Sequence, residues 1–381
     1  MDEKRITSIA NDSIVSQRLH NQRLIGSSFE DAVDVVKWLT AVQSQDFSGA
    51  KWALAQRLNN ATDRDINQLF NDGKILRTHI LRPTWHFVTP TDIRWMLKLT
   101  APRVDAASAY AFRKLELDSK VFKRSNAVID KTLRGDKHLT RDELQRALEI
   151  AGIQATGVRL AYIIIRAELD ALVCSGPLRG KQFTYALLDE RVPGGRTLTR
   201  DEALVELTTR YFDSHGPALL SDYSWWSGLT MAQVRSGIEM VGGRLNRETI
   251  NGKTYWFGAL EKVGRDTYAR RARSQDRNPT IHLLPNYDEY LVAYKDRACF
   301  LDPEVGKALR QNVQILSTHS ITLNGNVIGA WRRTIGNDEV TVSARFLKGL
   351  NENQQRSLQR AAERFAKFLG SPRVRLSVAG S

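Results

Sequence analysis

Leu139-Thr140-Arg141-Asp142-Glu143-Leu144 returns as Leu198-Thr199-Arg200-Asp201-Glu202-Ala203. In both copies a threonine stands three residues before a glutamate. That is the pattern in which the hydroxyl accepts from the N3 backbone N–H while the carboxylate reaches back to the N-cap N–H. Each box therefore starts a helix, and the recurrence marks a repeated structural unit. After the first box Leu144, Ala147, Leu148 and Ala151 recur at helical spacing, Gly152 ends the helix, and a second helix is predicted over about 156–174. Ser175-Gly176-Pro177 then turns the chain into 180–187, β-prone residues flanked by glycine and lysine that read as a wing hairpin.

The second copy follows the same plan less cleanly. It has helices over 202–212, 222–228 and from Thr230 onward, then a hairpin around 252–257. Upstream, Ser28 precedes a helix with Ala32, Val35, Val36 and Leu39 inward, helices follow over 48–58 and 64–72, and 78–88 reads as a hairpin with Pro83 at an edge or turn. This is a third, divergent unit. Beyond about 280 short strands are predicted over 281–284, 314–323, 327–332 and 340–346, with Asn324-Gly325 as a hairpin turn. A charged helix over 351–369 and a strand-like tail over 374–378 close the chain. The expected fold is α+β: three tandem winged helix-turn-helix units over 1–137, 138–195 and 196–278, then a barrel-like β-rich unit with a terminal helix over 279–381.

Composition sets limits on function. The 381 residues carry 56 Lys and Arg against 42 Asp and Glu, a net charge of +14 spread along the chain. Such an excess favours a polyanionic partner, although a solvated basic surface would look the same. Two cysteines among apolar neighbours argue against a disulfide framework or a cysteine zinc site, and suit a reducing cytoplasm. No apolar run reaches the roughly 18 residues of a membrane span. The histidines show no ligand spacing, and neither a phosphate-binding glycine loop with its lysine nor a G-x-S-x-G elbow occurs. Neither a metal nor a cofactor is expected.

One connector carries possible chemistry: Ala41-Val42-Gln43-Ser44-Gln45-Asp46. Glutamines at i and i+2 point apart on a helix but share a face in extended backbone, so both could grip one water if the helix ends before Gln43. An amide offers an acceptor and a donor without charge. Two polar connector residues capping helix ends would read the same way. Arg159, Tyr162 and Arg166 lie on one narrow polar face of the 156–174 helix, either a DNA-contacting face or the wet stripe of a buried helix. Asp288 and Glu289, as strand neighbours, would face opposite ways, one pairing structurally with Arg297 or Arg332. Trp225 and Trp226 read as core anchors, with base stacking as the alternative.

Five segments together resemble the winged-helix family of bacterial alkylpurine and interstrand-crosslink DNA glycosylases with a Gln-x-Gln or Gln-x-Asp motif. They are 41–46, 81–88, the stretch from Gly216-Pro217 through Trp225-Trp226-Ser227-Gly228-Leu229, 283–291, and Gly329-Ala330-Trp331-Arg332-Arg333, in the family's order across nearly the whole chain. Arg82-Pro83 departs from the Arg-Gly that often stands there, which bears on the local hairpin. The resemblance implies tandem winged units around a basic DNA site, with Gln43 and Gln45 as the catalytic pair, and the fold does not by itself imply the reaction. The expected partner is double-stranded DNA with alkylated bases or crosslinks, bound by a monomer. Expected DNA contacts are Arg82, Arg159, Arg166, Lys181, Arg332 and Arg333. His86 is either support for the active site, touching sugar or phosphate, or a core histidine. An N7-alkylguanine already carries positive charge and leaves without a general acid, so two neutral amides aiming water at C1′ would suffice. The competing expectation is a non-catalytic transcriptional regulator on the same units.

Overall fold

In the computed structural model both repeated boxes close. Thr140 Oγ1 accepts from Glu143 N–H at 3.3 Å while Glu143 accepts from Thr140 N–H at 2.7 Å, and Thr199 and Glu202 do the same at 3.3 and 2.8 Å. The structure describes residues 3–26, 28–258, 279–302, 304–305, 307, 318–346 and 348–379, with the backbone only at 3–10 and 379. Parts of the expected 314–323 strand and of the 196–278 unit lie outside the described residues.

The chain opens with helix α1 (Glu3–Asn21). The first helix-and-hairpin unit follows, with α2 (Ala32–Leu39), strand β1 (Val42–Gln43), α3 (Phe47–Ala55), α4 (Asp63–Asn71), β2 (Leu76–His79) and β3 (Trp85–Val88), the strands ordered β1-β3-β2. Helices α5 (Ile93–Lys114) and α6 (Ser119–Leu133) lead to β4 (Leu139–Thr140), α7 (Arg141–Ile150), α8 (Gly157–Leu169), β5 (Val173–Ser175) and β6 (Thr184–Leu187), ordered β4-β6-β5. The expected helix over 156–174 thus stops early: Ala171 adopts a positive φ and Cys174 lies in strand β5. After α9 (Leu188–Arg191) come α10 (Arg200–His215), α11 (Leu220–Ser227) and α12 (Met231–Val241), then the two-stranded ribbon β7 (Leu245–Ile250) and β8 (Lys253–Gly258).

The last part contains β9 (Ile281–Leu284), the one-turn helix α13 (Glu289–Val292), β10 (Ser320–Leu323), β11 (Asn326–Ile335), β12 (Glu339–Phe346), α14 (Glu352–Phe368) and β13 (Arg373–Ala379). Asn324 and Gly325 both take positive φ, 51° and 87°, the two-residue turn whose twist matches a hairpin. Helix α14 carries the chain back so that β13 pairs parallel to β12. The expected barrel-like closure is not formed. Among the described residues the sheet is open, ordered β13-β12-β11-β10-β9, with each end strand paired on one side, because α14 and the first unit cover one face.

Packing ties the sequence units together. Trp52 of α3 meets Phe365 and Phe368 of α14, Trp331 of β11 meets Phe365, and the indoles of Trp52 and Trp331 donate to the carbonyls of Leu283 and Leu284 at 2.7 and 2.8 Å. A second core joins Leu19, Leu76, Val88, Leu207, Tyr211, Trp226 and Tyr290, so the first hairpin rests on α10, α11 and α13. A third joins the end of α5 and α6 to α7, α8 and β6.

Candidate active site

Helix α2 ends where Thr40 turns to φ +71°, three residues before Gln43. The backbone then becomes strand, with Gln43 opposite His86 on β3 and His86 opposite Thr78 on β2. Opposed residues in neighbouring strands share a face, so Gln43, His86 and Thr78 form one polar row on one side of the sheet. The other side carries Val42 and Phe87 into the apolar core. Ser44 N–H donates to Trp85 O at 2.8 Å, and Asp46 caps α3 by accepting from Gly49 N–H at 3.0 Å. Gln43 is nearly buried at 7 % exposure, Gln45 is exposed, and no side-chain hydrogen bond ties down either amide among the described residues.

What fixes Gln43 is its backbone. Gln43 N–H donates to Glu289 Oε1 at 2.8 Å, Trp226 Nε1–H donates to Glu289 Oε2 at 2.9 Å, and His215 Nε2 lies 3.6 Å from that oxygen, an ion-pair separation. Burial works against the Glu289 charge, but His215 and the Gln43 N–H outweigh it and hold the carboxyl below its ordinary range. Asp288 accepts from both terminal nitrogens of Arg57, at 2.9 and 3.1 Å, while Arg57 Nε donates to Gln22 O at 2.9 Å. This corrects the expected pairing of these carboxylates with Arg297 or Arg332. Asp288 caps α13 and Glu289 begins it, so the pair lies on a helical turn rather than a strand.

His86 is fully buried, and its Nδ1 lies 2.9 Å from Thr84 O. Burial first, and then the nearby Arg82 guanidinium, push its imidazole down to about 3, so the ring is neutral. Among the described residues its Nε2 has no hydrogen-bond partner, and neither do Thr78 Oγ1, Thr84 Oγ1, and Nε and Nη2 of Arg82. Arg82 stands 5.6 Å from the ring centre of Trp225. Trp225 is 39 % exposed whereas Trp226 is buried, so the core-anchor expectation holds for Trp226 and not for Trp225. The difference follows from α11, where neighbouring positions point about 100° apart and only one side faces the core.

A second polar group lies beyond Gln45. Asn286 N–H donates to His319 Nδ1 at 2.9 Å, which places the proton of the neutral ring on Nε2. Burial and the Arg333 charge push that imidazole down to about 4. Arg333 Nη1 approaches His319 Nε2 to 3.2 Å, so two donors converge there, and Arg333 Nη2 is 3.8 Å from Asp46. The arrangement suits an anionic oxygen.

The other basic candidates differ in freedom. Lys181 is exposed on the turn between β5 and β6, and Arg332 is exposed on β11. Arg159 donates to the carbonyls of Gln154 and Leu115, so it fastens α8 to the end of α5. Arg166 pairs with Asp105 at 2.7 Å and with Asp170 at 2.9 Å. Sequence reasoning missed Glu289, His215 and Arg57 because these partners lie far apart in the chain. The available signal was the Asp-Glu pair after Pro285 and Tyr287, which reads as a capped helical turn. Among the described residues no group of three His, Cys, Asp or Glu is placed to hold a metal, and no helix is long and apolar enough to cross a membrane.

By architecture this is a protein of helix-and-hairpin units and an open sheet, meeting at a site of neutral amide and imidazole groups. Its family follows from comparison: the chain belongs to the AlkZ-like DNA glycosylase family, whose model matches residues 36–368. It is 25% identical over 339 residues, 84% of this chain and 86% of the relative, to an interstrand DNA cross-link repair glycosylase of Streptomyces sahachiroi. The solved structure of the Streptomyces sahachiroi DNA glycosylase AlkZ shares the fold, with a TM-score of 0.78 at 21% identity over 97% of this chain and 99% of that one.

Proposed function

We propose that this chain is a monofunctional DNA glycosylase that hydrolyses the C1′–N9 bond of N7-alkylated purines and unhooks interstrand crosslinks, with Gln43 and Gln45 positioning the attacking water. In this reading the helix-and-hairpin units are three winged units that grip duplex DNA as a monomer. The observation that carries it is Gln43 itself: its backbone is fixed by a buried carboxylate while its amide bonds no side chain or backbone group among the described residues. Family membership and the relative's cross-link repair name support it.

The bond breaks with its electron pair going to N9, which neutralises the cationic purine, and the water oxygen adds to the oxocarbenium carbon at C1′. Gln43 lines the wall of the site and exposed Gln45 stands at its mouth. The converging donors of Arg333 and His319 hold a backbone phosphate beside them, and Lys181 and Arg332, both exposed, add further contacts, while Arg82, whose Nε and Nη2 are buried, acts by its charge beside His86. Arg159 and Arg166 act in this reading by setting α8 against its neighbours.

The test uses duplexes carrying N7-methylguanine or a nitrogen-mustard crosslink, scored for free base and abasic sites. Wild type should release base, and Gln43→Ala with Gln45→Ala should lower the single-turnover rate by about 10²-fold or more, the scale of losing a positioned nucleophile. An operator-specific footprint on undamaged DNA, with no base released from either duplex, would overturn the reading in favour of a transcriptional regulator.

A further inference from the structure

The polar row on the first hairpin extends past Gln43. Register places Gln43, His86 and Thr78 side by side on three adjacent strands, all buried and all on the sheet face turned toward α10, α11 and α13. A carbonyl oxygen only accepts, so the contact between His86 Nδ1 and Thr84 O puts the ring proton on Nδ1 and leaves a bare lone pair on Nε2. Among the described residues that lone pair and the Thr78 hydroxyl have no hydrogen-bond partner. Buried polar groups are rarely left so, and two in one row beside an unbonded amide mark a place built for a polar guest.

We infer that His86 is a catalytic residue of the hydrolysis, its Nε2 accepting a hydrogen bond from the water that Gln43 holds and taking the proton released when that water adds to C1′, with Thr78 Oγ1 bonding the same water. The inference rests on the proposed glycosylase activity. The step balances: the C1′–N9 electron pair leaves with the purine, the water oxygen bonds to C1′, and its surplus proton passes to His86 Nε2. The charged and titratable groups near the ring are Arg82 on the turn, Glu289 on α13 and His79 on β2. Burial, Arg82 and His79 outweigh the opposing pull of Glu289 and make the imidazole a weak base, too weak to deprotonate free water. A water already bonded to an oxocarbenium carbon is a far stronger acid than imidazolium, so a weak base suffices for that late transfer.

The test compares wild type, Gln43→Ala, His86→Leu, His86→Gln and Thr78→Val on N7-methylguanine duplex, with DNA affinity and thermal melting measured for each. His86→Leu should lose about 10²-fold in single-turnover rate with DNA affinity unchanged. His86→Gln keeps a neutral acceptor that does not take up a proton, and should fall with the leucine variant. Thr78→Val should lose about five-fold, the scale of one hydrogen bond. Independently of activity, ¹⁵N spectra of the folded protein should show His86 protonated on Nδ1 and bare on Nε2 from pH 5 to 8, which also covers a variant that fails to fold. Wild-type rates in His86→Leu or His86→Gln beside an inactive Gln43→Ala would overturn this inference and leave the glycosylase reading standing, as would a proton on Nε2. A wild type that releases no base would remove both.

Discussion

Gln43 is held by its backbone and not by its amide, and this division governs what single residues do here. Glu289, Trp226 and His215 fix where the strand lies, while the amide stays available. The same neighbourhood makes the protein acid-sensitive. His86 and His282 are buried and pushed down to about 3 and about 4, His86 by burial and Arg82, and His282 by burial with Arg364 and Arg57. Their folded pKa values lie below the unfolded value near 6.5, so between those limits the unfolded chain binds more protons. Stability is complete above pH 6.5 and falls as pH drops toward 4. At pH 5 each histidine should cost about 2 kcal/mol. Urea unfolding at pH 7 and pH 5 checks this, and equal midpoints would refute it. Glu289, held low, has the opposite chemistry and a lower window, its contribution being lost only as pH falls below the ordinary carboxylate range.

At the level of elements, the short helix α13 clamps the first hairpin from two sides. Glu289 bonds the strand and Asp288 bonds Arg57 at the end of α3. Replacing Arg57 with Met leaves a buried carboxylate without its cation and should cost about 3–5 kcal/mol by denaturant unfolding. Replacing Glu289 with Gln puts an amide N–H against a donor, and should cost about 1–3 kcal/mol while lowering the base-release rate more than DNA affinity. A rate equal to wild type would show that the strand needs no such clamp. Gly228 ends α11 at φ +72°, and an added Cβ would fall on the Leu81 carbonyl at the hairpin turn. Gly228→Ala should therefore loosen α11 from that turn, seen as faster hydrogen exchange across residues 81–88.

Across the whole molecule, two of the three cores join segments that are far apart in sequence, so the row of Gln43, His86 and Thr78 lies between the first hairpin and elements from the third and last units. The chain as a whole carries a net charge of +14. DNA affinity should fall steeply with salt, with a log–log slope of about −0.9 for each phosphate neutralised. Lys181→Ala with Arg332→Ala should shrink that slope by about 2 without changing the rate on bound DNA. Anisotropy titrations from low to moderate salt measure it, and a slope near zero in wild type would refute phosphate-driven binding.

The parts of this fold set by neighbours in sequence were legible before any coordinates. The two Thr-x-x-Glu boxes and the Asn324-Gly325 turn depend on atoms a few residues apart, and the amphipathic stripe of α14 needs only a helical period. The same locality placed Gln43 beyond the end of a helix. Glu289 meets Gln43 across 246 residues of chain, and no local pattern encodes that pairing. Likewise no propensity says that a sheet of alternating residues stays open rather than curling shut. That outcome follows from α14 and α3 filling one face with Trp52, Trp331 and Phe365. Hydrogen bonds between near neighbours form in whatever fold contains them, whereas a buried charge finds its partners only once the cores have brought distant segments together.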